Sequence, residues 1–454
     1  MQNVVFDFQK KIGKFKPMNA VNNGPIKNAD GAQGANNFIA YKDAQIPYAR
    51  THDSAHCPDF GGPHIVDISK VFPDFNKNPY EPSSYDFELT DYYLEAIVSS
   101  GTKVFYRLGE SIEHTKKKYN VIVPADYYKW AVICEHIIRH YNEGWHYGFH
   151  YGIEYWEIWN EPDNDNNPNA TDCCFAGNTW SGTYAEFFDF YKVVATHLKS
   201  RFPNLKIGGP ALAWYKNTKF IEGFFNAMTK GERVPLDFFS WHSYSQDPST
   251  VAQRAEFFRE ILDQYGYTET ESVLDEWNFL RGWSGQSYID GVRGVISERG
   301  AAFVAAAMIY GQNSSVDMMM YYDARPSQFN GLFDFYTYDT LKSYHVIKMF
   351  SEFVRLHDQT YVESDDAEIV TMCGSKGEKC LAMLTYYPRQ NDWPVQVDAK
   401  IKTVNIKLKN TVSEKFKVYV IDAGKTMEEN FVVAENGTLS MEIQPYGIVY
   451  LESV

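Results

Sequence analysis

No stretch of this chain approaches the roughly 20 consecutive apolar residues of a membrane-spanning helix, so no membrane span is expected. Positive charge is also short. The 43 Lys and Arg residues against 58 Asp and Glu leave a net charge of −15. Nucleic-acid phosphates and anionic membrane surfaces would be repelled, so neither is expected as a partner. Cysteine is sparse, with six residues in 454. Cys57, Cys134, Cys173 and Cys174 show no metal-binding spacing, and buried free thiols are the expectation. Cys373 and Cys380 are the exception to watch: if Lys376-Gly377 forms a hairpin turn, their sulfurs face each other and a disulfide is an alternative. There is no internal repeat and no low-complexity linker. Residues 1–16 alternate charge with Phe and lack the apolar core and small-residue cleavage site of a signal peptide. The expected compartment is cytoplasmic for a complete chain, and periplasmic or secreted if a leader has been removed.

Aromatic residues, by contrast, are plentiful: 31 Phe, 33 Tyr and 10 Trp. Tyr and Trp pack and hydrogen-bond at once, which suits a polar ligand with apolar faces, although most of them are expected to fill core. An apolar fraction of 44% permits a sizeable core, and 454 residues suffice for one large domain and a small one.

Between residues 17 and 355, short apolar runs alternate with helical stretches. The runs cover 17–21, 46–51, 103–108, 154–159, 206–209, 236–241, 272–275 and 317–322. Several are almost continuously apolar, as buried parallel strands are. Helices are expected over 125–143, 183–201, 219–230, 251–265, 292–311 and 341–356, with one more ending at Ser100 and capped by Asp86 or Thr90. Eight strands alternating with helices predict an α/β fold of the (β/α)₈ TIM-barrel type over residues 15–355. The last hundred residues change period. Short strand-like runs with polar turns, at 368–372, 381–386, 403–408, 415–421, 431–433 and 448–451, predict an appended antiparallel β-sandwich over 356–454. Residues 1–14, through the run 4–8, are expected to add a strand to it.

Barrel enzymes place chemistry at the carboxyl ends of their strands. Here the second run ends Arg50-Thr51-His52-Asp53, the third Arg107-Leu108-Gly109-Glu110 and the fourth Asn160-Glu161-Pro162. The sixth ends Trp241-His242-Ser243-Tyr244, the seventh Glu276-Trp277-Asn278, and the eighth Tyr321-Tyr322-Asp323-Ala324-Arg325. Polar and aromatic groups at six of eight ends, where core residues would otherwise stand, read as a site. A salt-bridged structural role is an equal reading for Glu110, and a weak one for Glu161 and Glu276. Two carboxylates on opposite strands, an amide and flat rings suit glycoside hydrolysis. A gap of about 5–5.5 Å allows direct attack and retention, whereas about 6.5–9.5 Å admits a water and gives inversion.

The segments Tyr48-Ala49-Arg50-Thr51-His52-Asp53, Trp156-Glu157-Ile158-Trp159-Asn160-Glu161-Pro162-Asp163, Trp241-His242-Ser243-Tyr244 and Asp275-Glu276-Trp277-Asn278 resemble the retaining (β/α)₈ glycosidases, and within them glycoside hydrolase family 39. The resemblance implies Glu161 as general acid and then base, with a proton held near neutrality, and Glu276 as nucleophile. It also implies Asn160 on the sugar's 2-hydroxyl, Tyr244 donating to Glu276, and His242 bridging toward the acid or the sugar. Arg50 is expected to orient Glu276 or Asn160, and His52 and Asp53 to hold hydroxyls of the nonreducing sugar. Trp277 and Tyr321 are the candidates for ring stacking, while Trp159 belongs in the core. No cofactor is implied. A chelating set of His52, Asp53, His56 and Cys57 is set aside, because retaining hydrolysis needs no metal.

The substrate expected is an oligosaccharide or polysaccharide, with β-xylosidase activity first. An α-L-arabinosidase, an iduronidase-like enzyme and an endo-acting exopolysaccharide glycosidase remain as alternatives, with Arg107 and Arg325 available to a uronidase. Loops 54–84, 163–180 and 279–290 are expected to shape the choice. A reading of another class, a non-catalytic carbohydrate-binding protein on the same fold, predicts a broken carboxylate pair.

Overall fold

The computed structural model describes residues 2–27, 36–57, 61–164, 178–327, 330–388 and 399–454, and the side chains of these except 55–57 and 61–63. Eight parallel strands close a barrel in chain order: Ala20–Asn22, Tyr48–Thr51, Lys103–Leu108, Tyr155–Ile158, Lys206–Leu212, Phe238–Ser245, Glu271–Phe279 and Met318–Tyr321. Closure comes from Met320 opposite Ala20, with Val21 opposite Ala49 on the other side. Every expected run supplies one strand. The fifth runs three residues further than the sequence suggested, because Gly209 at φ 138° lets the chain continue where a Cβ would stand 2.7 Å from the carbonyl oxygen of Ile158.

Strand alternation sorts the barrel interior into layers. Ala20, Phe105, Tyr155, Phe238, Val273 and Met318 form an apolar plug, with Tyr48 against it. Two residues further along the same strands come Asn22, Arg50, Arg107, Glu157, Ser240 and Asp275, all fully buried. The plug keeps water out below, and the polar layer above it has to satisfy itself.

The helices follow their caps. Asp126 accepts from the Lys129 amide at 2.9 Å to open Tyr127–Glu143, which Gly144 closes at φ 74°. Thr183 opens Tyr184–Arg201 with a reciprocal capping box to Glu186. Two expectations differ. Helix Glu88–Ser99 starts after Phe87, not at Asp86 or Thr90, because the Thr90 hydroxyl donates instead to the Ile65 carbonyl. The stretch expected as one helix over 292–311 is two, Gly285–Val295 and Glu298–Gln312, since Ser297 caps the second by accepting from the Arg299 amide.

The remaining strands form one nine-stranded, mostly antiparallel sheet. Its order is Thr426–Val433, Lys415–Ile421, Ile448–Ser453, Lys379–Tyr386, Ile369–Lys376, Asp358–Ser364, Gln2–Lys14, Lys402–Lys409 and Thr438–Ile443. It curls into a sandwich around Phe6, Leu384, Ile406, Val418 and Leu451. The N-terminal strand lies between Asp358–Ser364, antiparallel, and Lys402–Lys409, parallel. Met372, Leu381, Met383 and Tyr450 face the other way and join the barrel's core beside Phe350 and Phe353. In the hairpin Ile369–Lys376 to Lys379–Tyr386, Cys373 stands opposite Ala382 and Cys380 opposite Ser375, so the sulfurs miss each other and both thiols are free.

Replacing Thr183 with Ala removes the hydroxyl half of the capping box and leaves the residue-183 amide donating to Glu186. The expected result is a loss of about 1 kcal/mol, read as a lower melting temperature with an unchanged circular-dichroism spectrum.

Candidate active site

Arg50 occupies the centre of the polar layer. Its Nε donates to Glu157 Oε2 at 2.7 Å and lies 3.2 Å from Asp275 Oδ2. One Nη donates to Asn22 Oδ1 at 3.1 Å and to Glu276 Oε1 at 2.9 Å, and the other donates to Asn160 Oδ1 at 2.7 Å. Burial disfavours its charge, but Glu157, Asp275 and Glu276 together raise its pKa. Ser240 donates to the other oxygen of Glu157 at 2.6 Å. Burial pushes the Glu157 carboxyl well up despite Arg50. Burial acts the same way on Asp275, but Arg50 and His242 outweigh it and hold that carboxyl below its ordinary value. Because Asn160 gives its oxygen to Arg50, its amide nitrogen is the donor end left at the cavity wall.

Above this layer a cavity of about 620 Å³ opens at the carboxyl ends of the strands. Glu161 and Glu276 meet in it. A β-bulge in the seventh strand makes this possible: Leu274 pairs with Trp241 and Glu276 with His242, so Asp275 is the extra residue. Two consecutive carboxylates thereby reach the same arginine. Glu161 follows the fourth strand in the left-handed region at φ 46°, as does Trp159 at φ 74°. Both are pinned: Trp159 N donates to Leu108 O at 2.6 Å and Glu161 N to Ala211 O at 2.9 Å. The extended fifth strand thus holds the backbone of Glu161.

His242 bridges the pair. Its Nδ1 lies 2.7 Å from Glu161 Oε1 and 3.5 Å from Glu276 Oε2, and its Nε2 lies 3.5 Å from Asp275 Oδ1. One oxygen of each glutamate and a ring nitrogen all fall within 4.8 Å of one another. Burial opposes charge on His242, yet Glu276 and Asp275 raise it well above its ordinary value, which favours the charged ring between the carboxylates. The Tyr244 hydroxyl donates to Glu276 Oε2 at 2.8 Å, and Asn164 Nδ2 to Glu161 Oε2 at 2.6 Å. Burial raises Glu276 to about 7, with Glu161 and Asp275 adding to the rise and His242 and Arg50 opposing it. A folded value above the unfolded one means that this group's contribution to stability is complete below about pH 4.5 and lost as pH rises to about 7.

His52 is the second imidazole at the site and the opposite of the first. Burial, and then Arg50, push it well below its ordinary value. As a neutral ring it presents Nε2 to Asp53 Oδ2 at 3.2 Å and to Glu276 Oε1 at 3.3 Å. Asp53 and His52 both line the cavity, on the side away from the fifth and sixth strands.

The structure therefore brings together Glu161, Glu276, Asn160, His242, Tyr244, Arg50, His52 and Asp53. Two candidates are corrected. Trp277 is fully buried and packs on Phe303, because the residue after the bulge turns outward to the helices. Tyr321 is also fully buried and donates to the Asn330 carbonyl; its neighbour Tyr322, one residue on and hence on the inner face, lines the cavity instead. Trp159 is core as expected, its indole donating to Thr179 O at 2.7 Å. Glu110 takes the structural reading, accepting from the Ser69 amide at 2.9 Å and hydroxyl at 2.6 Å. His56, Cys57 and most of the loop 163–180 lie outside the residues whose side chains are described.

Exposed rings at the cavity were missed by the sequence reading: Trp214 after the fifth strand and Trp283 after the seventh, 47% and 57% exposed. Trp283 sits in Arg281-Gly282-Trp283-Ser284-Gly285, a polar loop where a large indole has no core to fill. That mismatch was the available signal. Glu157 and Asp275 were also missed, though their acid groups stand at inward positions of apolar strands.

Arg50→Met strips the only guanidinium from a fully buried set of carboxylates. An uncompensated buried charge of this kind costs about 3–5 kcal/mol, so the variant should unfold at a distinctly lower denaturant midpoint than the unsubstituted protein.

Residues 63–382 match the family described as glycosyl hydrolases family 39. A β-xylosidase of Geobacillus stearothermophilus is 28% identical over 194 residues, which are 42% of this chain and 33% of that protein. A β-xylosidase of Caldicellulosiruptor saccharolyticus is 31% identical over 175 residues, 36% of this chain and 32% of that protein. The chain thus spans about a third of the length of the curated relatives it matches. A glucosidase from Croceicoccus marinus shares the fold with a TM-score of 0.76 at 22% identity, over 100% of this chain and 98% of its own. With the family pattern matched across most of its length, this chain belongs to glycosyl hydrolase family 39.

Proposed function

We propose that the chain hydrolyses β-glycosides with retention of configuration, by double displacement between Glu276 and Glu161, and that its sugar is β-xylose. The observation that carries this reading is the approach of the two carboxylates to within 4.8 Å. So close an approach of one oxygen from each group favours direct attack, for which the carboxyl groups stand about 5–5.5 Å apart, over the roughly 6.5–9.5 Å that admits an intervening water. The xylose assignment rests on the two relatives named β-xylosidases.

In the first step a Glu276 oxygen attacks the anomeric carbon, while Glu161 gives its proton to the departing glycosidic oxygen. The carbon–oxygen bond breaks and a glycosyl ester forms. Arg50 and Tyr244 hold Glu276 in line from two directions, at 2.9 and 2.8 Å. In the second step Glu161 takes a proton from water, the water oxygen attacks the same carbon, and the ester releases Glu276. Charge on Glu276 is consumed in the first step and returned in the second, and the His242 cation stands against both carboxylates throughout. The Asn160 amide is aimed to donate to the 2-hydroxyl, while His52 and the accepting carboxylate of Asp53 meet the hydroxyls beyond it. Exposed Trp214 and Trp283 take the stacking role expected of Trp277 and Tyr321.

A uronidase reading loses its expected cations. Arg107 is bonded to Asp67 at 2.7 Å and to Ser111 at 3.1 Å, and Arg325 to Asp323 at 2.8 Å and to the Asp53 carbonyl at 2.6 Å. The intact carboxylate pair likewise counts against a non-catalytic binding protein.

Glu276→Ala should lower kcat on an activated aryl β-xyloside by at least about a thousandfold, or roughly 4 kcal/mol of barrier. Azide should restore turnover and yield the glycosyl azide of inverted configuration; normal turnover without azide would sink the mechanism. Glu161→Ala with azide should give the retained azide. A panel of aryl β-xylosides, α-arabinosides, β-glucosides and β-glucuronides tests the sugar.

The pH profile gives an independent check. The acid limb of kcat/KM should follow ionisation of Glu276 near pH 7. His242→Gln removes a cation that lowers the Glu276 pKa, so the limb should move to higher pH; an unmoved limb would assign it to another group.

A further inference from the structure

Arginines around the barrel mouth are matched to carboxylates: Arg50 to Glu157 and Glu276, Arg107 to Asp67, Arg325 to Asp323 and Arg281 to Asp290. Arg254 differs. It lies on helix Thr250–Gln264, which follows the sixth strand, and it is the only Lys or Arg among the described residues lining the cavity. No carboxylate among the described residues pairs with it. One Nη donates to Ser243 Oγ at 2.7 Å, and its guanidinium carbon stands 4.2 Å from the centroid of the Tyr215 ring. A half-buried guanidinium stacked on a ring and anchored by the Ser243 hydroxyl is fixed in orientation, with further donors that take no carboxylate among the described residues.

Its place in the barrel says which part of a substrate it meets. The carboxylate pair joins the fourth and seventh strands across the mouth. His52, Asp53 and Tyr322 lie on the half formed by the eighth, first and second strands, and Arg254, Trp214 and Tyr215 on the half formed by the fifth and sixth. The groups suited to the glycone's hydroxyls are on the first half, so the second faces the leaving group. An anion at the cleaved bond itself would be repelled by Glu161 and Glu276. At the far wall it meets a guanidinium that no carboxylate among the described residues neutralises, beside an indole that is 47% exposed.

We propose that this half of the cavity is a subsite for a carboxylate-bearing sugar, a hexuronic acid unit on the leaving-group side, gripped by the Arg254 fork and seated against Trp214. Its place on the leaving-group side rests on the double-displacement reading above. The planar, two-pronged fit of guanidinium to carboxylate is what favours a uronic acid over a neutral sugar.

Calorimetric titration of the full chain with glucuronic acid and with glucose tests it. Glucuronic acid should bind about tenfold more tightly, a difference of about 1.4 kcal/mol, and the preference should weaken as salt rises. Arg254→Gln should bring the two affinities together. Arg254→Lys, which keeps the charge without the fork, should retain part of the preference, and serves if the Gln variant melts early. Equal affinities in the unsubstituted protein, or a preference that survives Arg254→Gln, would overturn the proposal. Binding needs no turnover, so inactivity on every aryl glycoside would overturn the hydrolytic reading and leave the carboxylate subsite standing. Kinetics then place it: kcat/KM for xylose β-linked to glucuronic acid should exceed that for xylose β-linked to glucose, and a ratio of one would remove the subsite from the leaving-group side.

Discussion

One guanidinium organises the centre of this protein. Arg50 touches five side chains from three other strands and their ends, and each contact decides something different. Glu276 is aimed, Asn160 is turned so that its nitrogen faces the cavity, and Glu157 and Asp275 are given a reason to be inside an apolar barrel. Ion clusters of this kind are poor sources of stability, since desolvation consumes most of the Coulombic gain. Their use here is geometric. The double displacement proposed above needs Glu276 held in one orientation, and the fully buried arginine removes that side chain's freedom.

The two imidazoles carry the same logic into charge. His52 and His242 both approach Glu276, at 3.3 and 3.5 Å, yet one is pushed well below the ordinary histidine value and the other well above it. The difference comes from company. His52 sits toward Arg50 and Arg107, whereas His242 sits among Glu161, Asp275 and Glu276. Both rings thus stand beside Glu276, and only at His242 is the charged form favoured.

Much of this was legible before any coordinates. Asn160-Glu161-Pro162 at the end of an apolar run announced a strand terminus, because Pro ends ladder pairing and the polar pair has no core to join. The eight runs gave the barrel by their spacing. What failed was the register within a strand. Trp277 and Tyr321 look like Trp214 and Trp283 in composition, and only the side of the sheet tells them apart. The bulge at Asp275 inverts that side after one residue, and nothing in Leu274-Asp275-Glu276-Trp277 marks it. Trp214 is hidden differently: Gly209-Pro210 reads as a strand stop, whereas the fifth strand continues to Leu212. In the same way the helix break at Ser297 is a matter of which hydroxyl caps which amide, a choice made by tertiary packing.

The N-terminal strand has a consequence for how the chain is made. Gln2–Lys14 is completed only by Asp358–Ser364 and Lys402–Lys409. At the usual pace of synthesis its first partner leaves the ribosome roughly 20–70 s later. For that time a strand with Val4, Phe6 and Phe8 on one face waits with both edges open, while the whole barrel is built between it and its neighbours. The charges along it, Asp7, Lys10, Lys11 and Lys14, are what discourages it from pairing with another chain meanwhile.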